Sequence, residues 1–142
     1  MSDCIFCRIV SREIPAEIVY ESAGCVAFLD NQPLFPGHVL IVPRQHYATL
    51  SDLPDDMLAP LFAATRQIAT AMETVLDAEG SFVANNNKIS QTVPHLHVHV
   101  IPRRKGDGLK GFFWPRRGYS GDDHRSEVAA KLRAALQPGS KV

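Results

Sequence analysis

The segment VPHLHVHVIPR, residues 93–103, places a histidine at every second position between apolar side chains. The histidines are His95, His97 and His99. The apolar residues that alternate with them are Leu96, Val98 and Val100. Because successive side chains of an extended strand point to opposite faces of its sheet, the alternation predicts a strand over 95–101. Its apolar face belongs to the core, and its three imidazoles share the other face, about 6.5–7 Å from one to the next.

Four more segments predict strands, at residues 17–22, 25–30, 38–44 and 81–85. A short helix near the N-terminus is expected to end before Pro15, and a final helix to begin near Asp122. These elements, with the long helix described next, predict the α+β class. The expected architecture is a five-stranded antiparallel sheet with one long helix and short terminal helices.

The long helix is predicted from about Ser51 to Gly80, because apolar side chains recur there at three- and four-residue spacing. Pro60 is expected to kink this helix or to restart it. The apolar stripe consists of Leu58, Leu61, Phe62, Thr65, Ile68, Ala69, Met72, Val75 and Leu76.

Composition limits the classes of partner. The chain has 142 residues, 45% of them apolar, with fifteen basic residues against fifteen acidic ones. This balance argues against a general nucleic-acid or membrane partner. The charges within MSDCIFCRIVSREIP do not fit a signal peptide, and no apolar run reaches the length of a membrane span. We therefore expect a cytoplasmic protein, and three cysteines are too few for a disulfide framework.

Three imidazoles on one strand face have two chemical interpretations besides a solvated surface. Histidines two residues apart on a strand can bind zinc together. A neutral imidazole is also a nucleophile near pH 7, and neighbouring donors can hold the oxygens of a phosphoryl group. The preceding segment NNNKISQT, residues 85–92, offers amides and hydroxyls but no carboxylate. This composition favours phosphate over a catalytic metal ion.

The run HLHVHVI resembles the H-φ-H-φ-H-φ-φ signature (φ apolar) of the histidine triad (HIT) family of nucleotide hydrolases and transferases. CIFCRIVSREIPAEIVYES, CVAFLDNQPLFPGHVLIVPRQHY and QTVPHLHVHVIPR resemble the successive blocks of that family in the same order. The chain looks most like a bacterial form of the protein kinase C interacting, nucleoside phosphoramidase-like branch. The length predicts a single domain, 1–142. The resemblance implies that its core is about residues 3–104 and that the C-terminal segment, 105–142, is variable.

The resemblance implies that His97 attacks the α-phosphorus of a purine nucleotide substrate. The product of this attack is a nucleotidyl-histidine intermediate, which water hydrolyses. The other ring nitrogen of His97 is then expected to bond to a backbone carbonyl. His99 would hold an α-phosphate oxygen, and His38 would approach the same centre.

The resemblance also implies a set of binding residues. Phosphate and leaving-group atoms would be bound by Asn85, Gln91 and Thr92. Asp30 would accept hydrogen bonds from ribose, unless it only caps the turn after its strand. The base pocket would be formed by Ile5, Phe6, Ile9 and Phe28, of which Ile5, Ile9 and Phe28 equally suit a plain core.

The loop that carries Asn85 and Gln91 departs from the family pattern. It is one residue shorter and has Asn87 and Ser90 where the family has glycines. Asn85 and Asn86 therefore remain alternative candidates for one binding position.

Cys4 and Cys7 form a C-x-x-C pair that is two ligands short of a zinc site. Some bacterial histidine triad proteins look similar here, and this likeness implies His46 and His95 as the other two ligands. A structural zinc ion would then tie the N-terminal helix to the sheet. Two reduced thiols without a metal are the alternative.

The leading hypothesis is a hydrolase or transferase acting on nucleoside 5′-phosphoramidates or related AMP derivatives. A dinucleoside polyphosphate hydrolase, a non-catalytic nucleotide-binding module and a metallohydrolase that uses all three histidines are the alternatives. The family resemblance implies a homodimer, in which Trp114 and Arg116 of the C-terminal segment would reach the partner's nucleotide site or pack on their own chain.

Overall fold

The computed structural model describes residues 3–110 and 115–136, so Trp114 lies outside the described residues. Its helices are α1 (Ile5–Val10), α2 (Asp55–Val75) and α3 (Asp122–Ala135), with a short 3₁₀ helix at Leu50–Asp52. Its strands are β1 (Ile18–Glu21), β2 (Cys25–Leu29), β3 (Val39–Pro43), β4 (Gly80–Ala84) and β5 (Val98–Arg103).

The five strands form one antiparallel sheet in the order β1-β2-β3-β5-β4. Together with the helices, this sheet confirms the predicted α+β class. Short connections join β1 to β2 and β2 to β3, which are neighbours in the sheet. The strand after α2, β4, lies at the edge, and β5 returns between β3 and β4.

Both faces of the central strands are buried, which explains why β2 and β3 are apolar at almost every position. On one face, Ala27, Ile41 and Val98 belong to a cluster that includes the buried apolar residues of α2. On the other face, Val26, Phe28 and Val42 pack with Phe6 and Ile9 of α1. The short N-terminal helix therefore covers the face opposite the long helix.

Helix α2 begins after Pro54, and Asp55 and Asp56 in its first turn favour the helix dipole. Pro60 lies inside the helix, which continues through it without restarting. The ring of Pro60 is exposed and so is Asp56, so the carbonyl that loses its intrahelical partner is close to solvent.

The predicted apolar stripe of α2 is wider than the face that the helix buries. The buried residues are Leu61, Ala64, Thr65, Ile68 and Met72. Leu58, Phe62, Val75 and Leu76, which were predicted to share that face, are exposed. Helix α1 is also shorter than predicted, because it ends at Val10 and the chain then takes a positive φ of 66° at Arg12.

The chain divides into two compact units, Met1–Asp107 and Gly108–Val142. The second unit contains α3, which begins at Asp122 as predicted and has no buried residue along its length. None of the helices in residues 3–110 and 115–136 combines the length and the apolar composition that crossing a membrane requires.

Two leucines of α2 test the assignment of its buried face. Leu61 is 0% exposed and Leu58 is 40% exposed. We expect Leu61→Ala to lower the free energy of unfolding by about 3 kcal/mol, because it leaves a cavity in the core. Leu58→Ala, the matched control, should cost less than about 1 kcal/mol. Urea denaturation followed by circular dichroism measures both, and equal losses would contradict the assignment.

Candidate active site

The histidine run enters the sheet later than the alternation predicts. Strand β5 begins at Val98, so only His99 of the three histidines lies in the ladder. Upstream, the Leu96 N–H donates to the Tyr47 carbonyl (2.7 Å), which lies outside the sheet. The prediction of a strand from 95 to 101 is therefore wrong at its start, because the backbone there bonds to a loop.

The alternation of faces is nevertheless kept through the whole run. Leu96, Val98 and Val100 belong to the core cluster beneath α2. His95 and His97, on the opposite side, are 0% and 3% exposed, so they are buried as well. The imidazoles are therefore held by protein groups, and they do not lie on a solvated surface.

The proton on His97 has a defined position. Its Nδ1 lies 2.7 Å from the backbone carbonyl of His95, and a carbonyl oxygen can only accept a hydrogen bond. Nδ1 therefore carries the proton, and Nε2 keeps a lone pair. His97 also lines a cavity of about 430 Å³ that polar and apolar side chains share, so this nitrogen is available to a bound substrate.

A backbone N–H also fixes the tautomers of His38 and His99. The Leu34 N–H donates to His38 Nδ1 (3.1 Å), so the proton of neutral His38 is on Nε2. That nitrogen donates to His99 Nδ1 (2.9 Å), which leaves the proton of neutral His99 on its Nε2. Asp30 Oδ2 lies 3.7 Å from His38 Nε2. His99 therefore presents a hydrogen-bond donor, which suits a phosphate oxygen.

The same contacts argue against a metal ion on this group, although ligand atoms of Asp30, His38 and His99 lie within 4.8 Å of one another. A metal on His38 Nε2 would need its proton to move to Nδ1. Nδ1 already accepts the Leu34 N–H. The arrangement therefore favours a hydrogen-bonded chain over a metallohydrolase centre.

Burial keeps these histidines neutral. It lowers the pKa of His99 to about 4, with a further decrease from His97 and His38 and an opposing effect of Asp30. It also lowers the pKa of His38, which Asp30 opposes. Neutral rings are required for the donor and acceptor pattern described above, because a protonated imidazole has no lone pair to accept a bond.

The cavity beside His97 and His99 has a volume of about 430 Å³ and combines an apolar wall with a polar rim. Its lining contains these predicted site residues: Ile5, Phe6, Ile9, Phe28, Asp30, Thr92, His97 and His99. Asn31 and Gln32, which directly follow Asp30, line it too, and neither was predicted as a site residue. Their carboxamides add donors and acceptors at the rim.

Two predicted binding residues do not line the cavity. The Gln91 side chain donates to the Ala48 carbonyl (2.6 Å), and Asn85 donates to the carbonyl of His97 itself (2.8 Å). In the same loop, Lys88 and Ser90 adopt positive φ, at 70° and 59°. In this arrangement Asn85 and Gln91 position the backbone of the loop and of the histidine run.

The four predicted metal ligands lie together. His95 Nδ1 is 3.4 Å from Cys4 Sγ and 3.5 Å from Cys7 Sγ, and His46 Nδ1 is 3.3 Å from Cys7 Sγ. All four ligand atoms lie within 4.8 Å of one another. The residues come from α1 and its N-cap, from the loop after β3 and from the histidine run, so only the folded chain assembles them.

The donor set fits a tetrahedral zinc ion. With bonds of about 2.3 Å to sulfur and about 2.0 Å to nitrogen, such an ion separates its sulfur and nitrogen ligands by about 3.5 Å. His95 Nε2 donates to the Pro43 carbonyl (3.0 Å), which leaves the Nδ1 lone pair facing the thiols. Burial lowers the pKa of His95 to about 4, so that lone pair is present at neutral pH.

Comparison with known proteins finds a family model, sequences and solved structures that are similar to this chain. The model of the HIT domain matches residues 11–106. The adenosine 5′-monophosphoramidase HNT1 of Saccharomyces cerevisiae is 43% identical over 139 residues, which cover 93% of this chain and 84% of the yeast protein. The crystal structure of a HIT family member from Bacillus subtilis is 30% identical, with a TM-score of 0.85 over 97% of this chain and 100% of that one.

A second solved structure bears on the cysteine and histidine group. A zinc-bound histidine triad family protein from Mycobacterium smegmatis is 38% identical to this chain. The two superpose with a TM-score of 0.73 over 94% of this chain and 93% of the mycobacterial protein.

The neutral state of His99 predicts a dependence of stability on pH. The folded protein keeps His99 neutral down to about pH 4, whereas the ordinary pKa is 6.5. Between these values the unfolded chain binds more protons, so stability should fall as the pH drops from 6.5 to 4. His99 contributes at most about 3 kcal/mol to this loss. Urea denaturation across that range should show a smaller loss in His99→Asn, and an identical loss in both proteins would contradict the assignment.

Proposed function

Because the chain belongs to the histidine triad family, we propose that it hydrolyses or transfers the nucleotidyl group of purine nucleoside 5′-phosphoramidates or related AMP derivatives. One observation carries the proposal. The His95 carbonyl binds the Nδ1 proton of His97, which leaves the Nε2 lone pair beside a cavity of nucleotide size. A nucleophile with this tautomer and surroundings suits attack on phosphorus.

In the proposed reaction, His97 Nε2 bonds to the α-phosphorus while the bond from phosphorus to the leaving group breaks. The leaving group departs with the electron pair of that bond and takes up a proton. The imidazole then carries positive charge, which the carbonyl of His95 stabilises through the Nδ1 proton. Water attacks the same phosphorus in the second step and gives up one proton, which balances the proton that the leaving group took from solvent. This step releases the nucleotide and restores neutral His97.

The phosphate oxygens gain charge as the transferring group is displaced, so fixed donors near them lower the barrier. His99 Nε2–H is the donor that the His38 contact orients, and the Leu34 N–H orients His38 in turn. In this proposal His38 is a positioning residue. Thr92, which lines the cavity, adds a hydroxyl donor.

The nucleoside part suits the apolar wall of the cavity. Phe6 and Phe28 meet edge to face with ring centroids 5.4 Å apart, and both line the wall where a purine would stack. The Gln32 N–H donates to Asp30 Oδ1 (2.9 Å) and holds this carboxylate at the rim. We propose that Asp30 accepts hydrogen bonds from the ribose hydroxyls.

A dinucleoside polyphosphate hydrolase remains the alternative, because it shares the nucleophile and differs only in the leaving group. A panel of AMP-amine conjugates and dinucleoside polyphosphates, compared by kcat/KM, separates these two functions. A purely binding module is disfavoured by the fixed tautomers of His97 and His99, since binding alone does not need a nucleophilic nitrogen.

We also propose that Cys4, Cys7, His46 and His95 bind a structural zinc ion. When bound, zinc would cross-link α1 to the sheet and take no part in the proposed chemistry. The cysteines need a reducing compartment to remain ligands, which supports the cytoplasmic location that we propose.

The homodimer implied by the family resemblance is part of the proposal. Edge strand β4 leaves Val83 42% exposed, which is a surface that a second copy could cover.

Removal of the nucleophile is the direct test of the mechanism. We expect His97→Ala to reduce turnover of an AMP phosphoramidate by at least about 10³-fold, because no other lone pair replaces Nε2. Its affinity for AMP, measured by isothermal titration calorimetry, should change little. His124→Ala, which removes an exposed histidine of α3, is the control. Release of AMP by His97→Ala at the wild-type rate would rule out a covalent intermediate.

Removal of metal tests the structural role of zinc. We expect the purified protein to contain about one zinc ion per chain, measured by elemental analysis. Chelation under reducing conditions should lower the melting temperature by roughly 5–10 °C and leave turnover unchanged, because the zinc ion supports the fold and not the reaction. Loss of turnover with the melting temperature unchanged would instead indicate a metallohydrolase.

A further inference from the structure

The two N-terminal cysteines flank a side chain of the nucleotide cavity. Cys4 precedes the first turn of α1, Cys7 lies within it, and Phe6 is between them. The Phe6 ring lies edge to face against His97, with centroids 5.0 Å apart, and it lines the cavity. Movement of either cysteine would therefore move the turn of α1 that places Phe6 in the cavity wall.

His95 makes a second connection from the cysteines to the nucleophile. Its side chain contacts both sulfurs, and its carbonyl holds the Nδ1 proton of His97. Because the ring and the carbonyl belong to one residue, displacement of the His95 ring would also move the carbonyl that binds His97. Neither Phe6 nor the His95 carbonyl is itself a metal ligand, yet both contact His97.

Helix α1 depends on these contacts more than a longer helix would. It has six residues, and Cys4 at its N-cap makes no capping hydrogen bond through its side chain. A helix of this length is unstable in water on its own, so tertiary contacts must hold it. The sulfur contacts to His46 and His95 are among them.

The two thiols are placed for oxidation. Their sulfurs lie within 4.8 Å of each other, and both side chains are half-buried, so a small reagent can reach them. Cysteines three residues apart at the start of a helix are a common arrangement for reversible disulfides. A disulfide needs a sulfur–sulfur distance of about 2.05 Å, so oxidation must rotate the sulfurs toward each other and change their contacts with the histidines.

We propose that Cys4 and Cys7 form a reversible thiol–disulfide site that controls nucleotide binding, which rests on the proposed function. The oxidant is a low-molecular-weight disulfide. One cysteine attacks it and forms a mixed disulfide while one small thiol leaves. The second cysteine then attacks the mixed disulfide, forms the Cys4–Cys7 bond and releases the second small thiol. Two electrons and two protons pass from the cysteines to the small disulfide, which is reduced to two small thiols.

Oxidation has two consequences. It removes two of the four metal ligands, so a bound zinc ion and the disulfide exclude each other and zinc protects the thiols. It also changes the contacts of Cys7 with His46 and of both sulfurs with His95, which loosens α1 and the wall formed by Ile5, Phe6 and Ile9. The oxidised protein binds nucleotide more weakly than the reduced protein, whether or not the reduced protein contains metal.

The test compares AMP binding in defined thiol states of the full-length chain. Chelated protein is treated with excess glutathione disulfide, and the Cys4–Cys7 bond is verified by peptide mass. Titratable thiols of the unfolded chain should fall from three to one, because Cys25 is the third cysteine and is buried. The Kd for AMP, measured by calorimetry, should rise about tenfold and return after dithiothreitol. A zinc-loaded sample should resist the same treatment.

Two variants serve as controls. Cys4→Ser/Cys7→Ser should show no change in Kd with glutathione disulfide, whereas Cys25→Ala should respond like the wild type. An unchanged Kd in protein that carries the disulfide would overturn the inference, and so would failure of the disulfide to form without metal. If reduced protein does not bind AMP, the proposed function fails, and this inference fails with it.

Discussion

The hydrogen bond from His97 Nδ1 to the carbonyl of His95 is the contact on which the site depends. It spans two residues of the same segment, and it determines which nitrogen of a buried imidazole keeps its lone pair. Three further hydrogen bonds hold the backbone and side chains of the histidine run in place. Asn85 binds the carbonyl of His97, the Leu96 N–H binds the Tyr47 carbonyl, and His95 Nε2 binds the Pro43 carbonyl. Displacement of the run would break all of these contacts together.

In each histidine of the run, the hydrogen bond at one ring nitrogen decides whether the other nitrogen is a donor or an acceptor, and the result differs among the three. His95 donates from Nε2 to a carbonyl and so directs Nδ1 to the cysteines. His97 donates from Nδ1 and keeps Nε2 for a substrate. His99 accepts at Nδ1 from His38 and keeps a donor on Nε2. A neutral imidazole has one donor and one acceptor, so the group bound at one nitrogen decides what the other can do.

Much of the architecture could be predicted from local patterns. The strands, the long helix and the start of α3 followed from periodicity, because apolar spacing reports which face of an element is buried. The errors occurred where partners outside the element decide the outcome. Strand β5 starts at Val98 because the backbone before it bonds to a loop, and α2 buries a narrower face than its apolar stripe suggests. Asn31 and Gln32 were not predicted, because loop residues after a strand have no periodic pattern that marks them as part of a site.

The sequence by itself determined the chemical groups: an alternating histidine run, an amide-rich loop before it and a cysteine pair whose residue types suit zinc and phosphate. Only the tertiary structure decided their protonation and grouping. Cys4 and His95 are 91 residues apart in the chain, and the proton on His99 depends on an N–H donated by Leu34 to His38. A tautomer depends on contacts within about 3 Å, and residues distant in sequence supply them only after the sheet has formed.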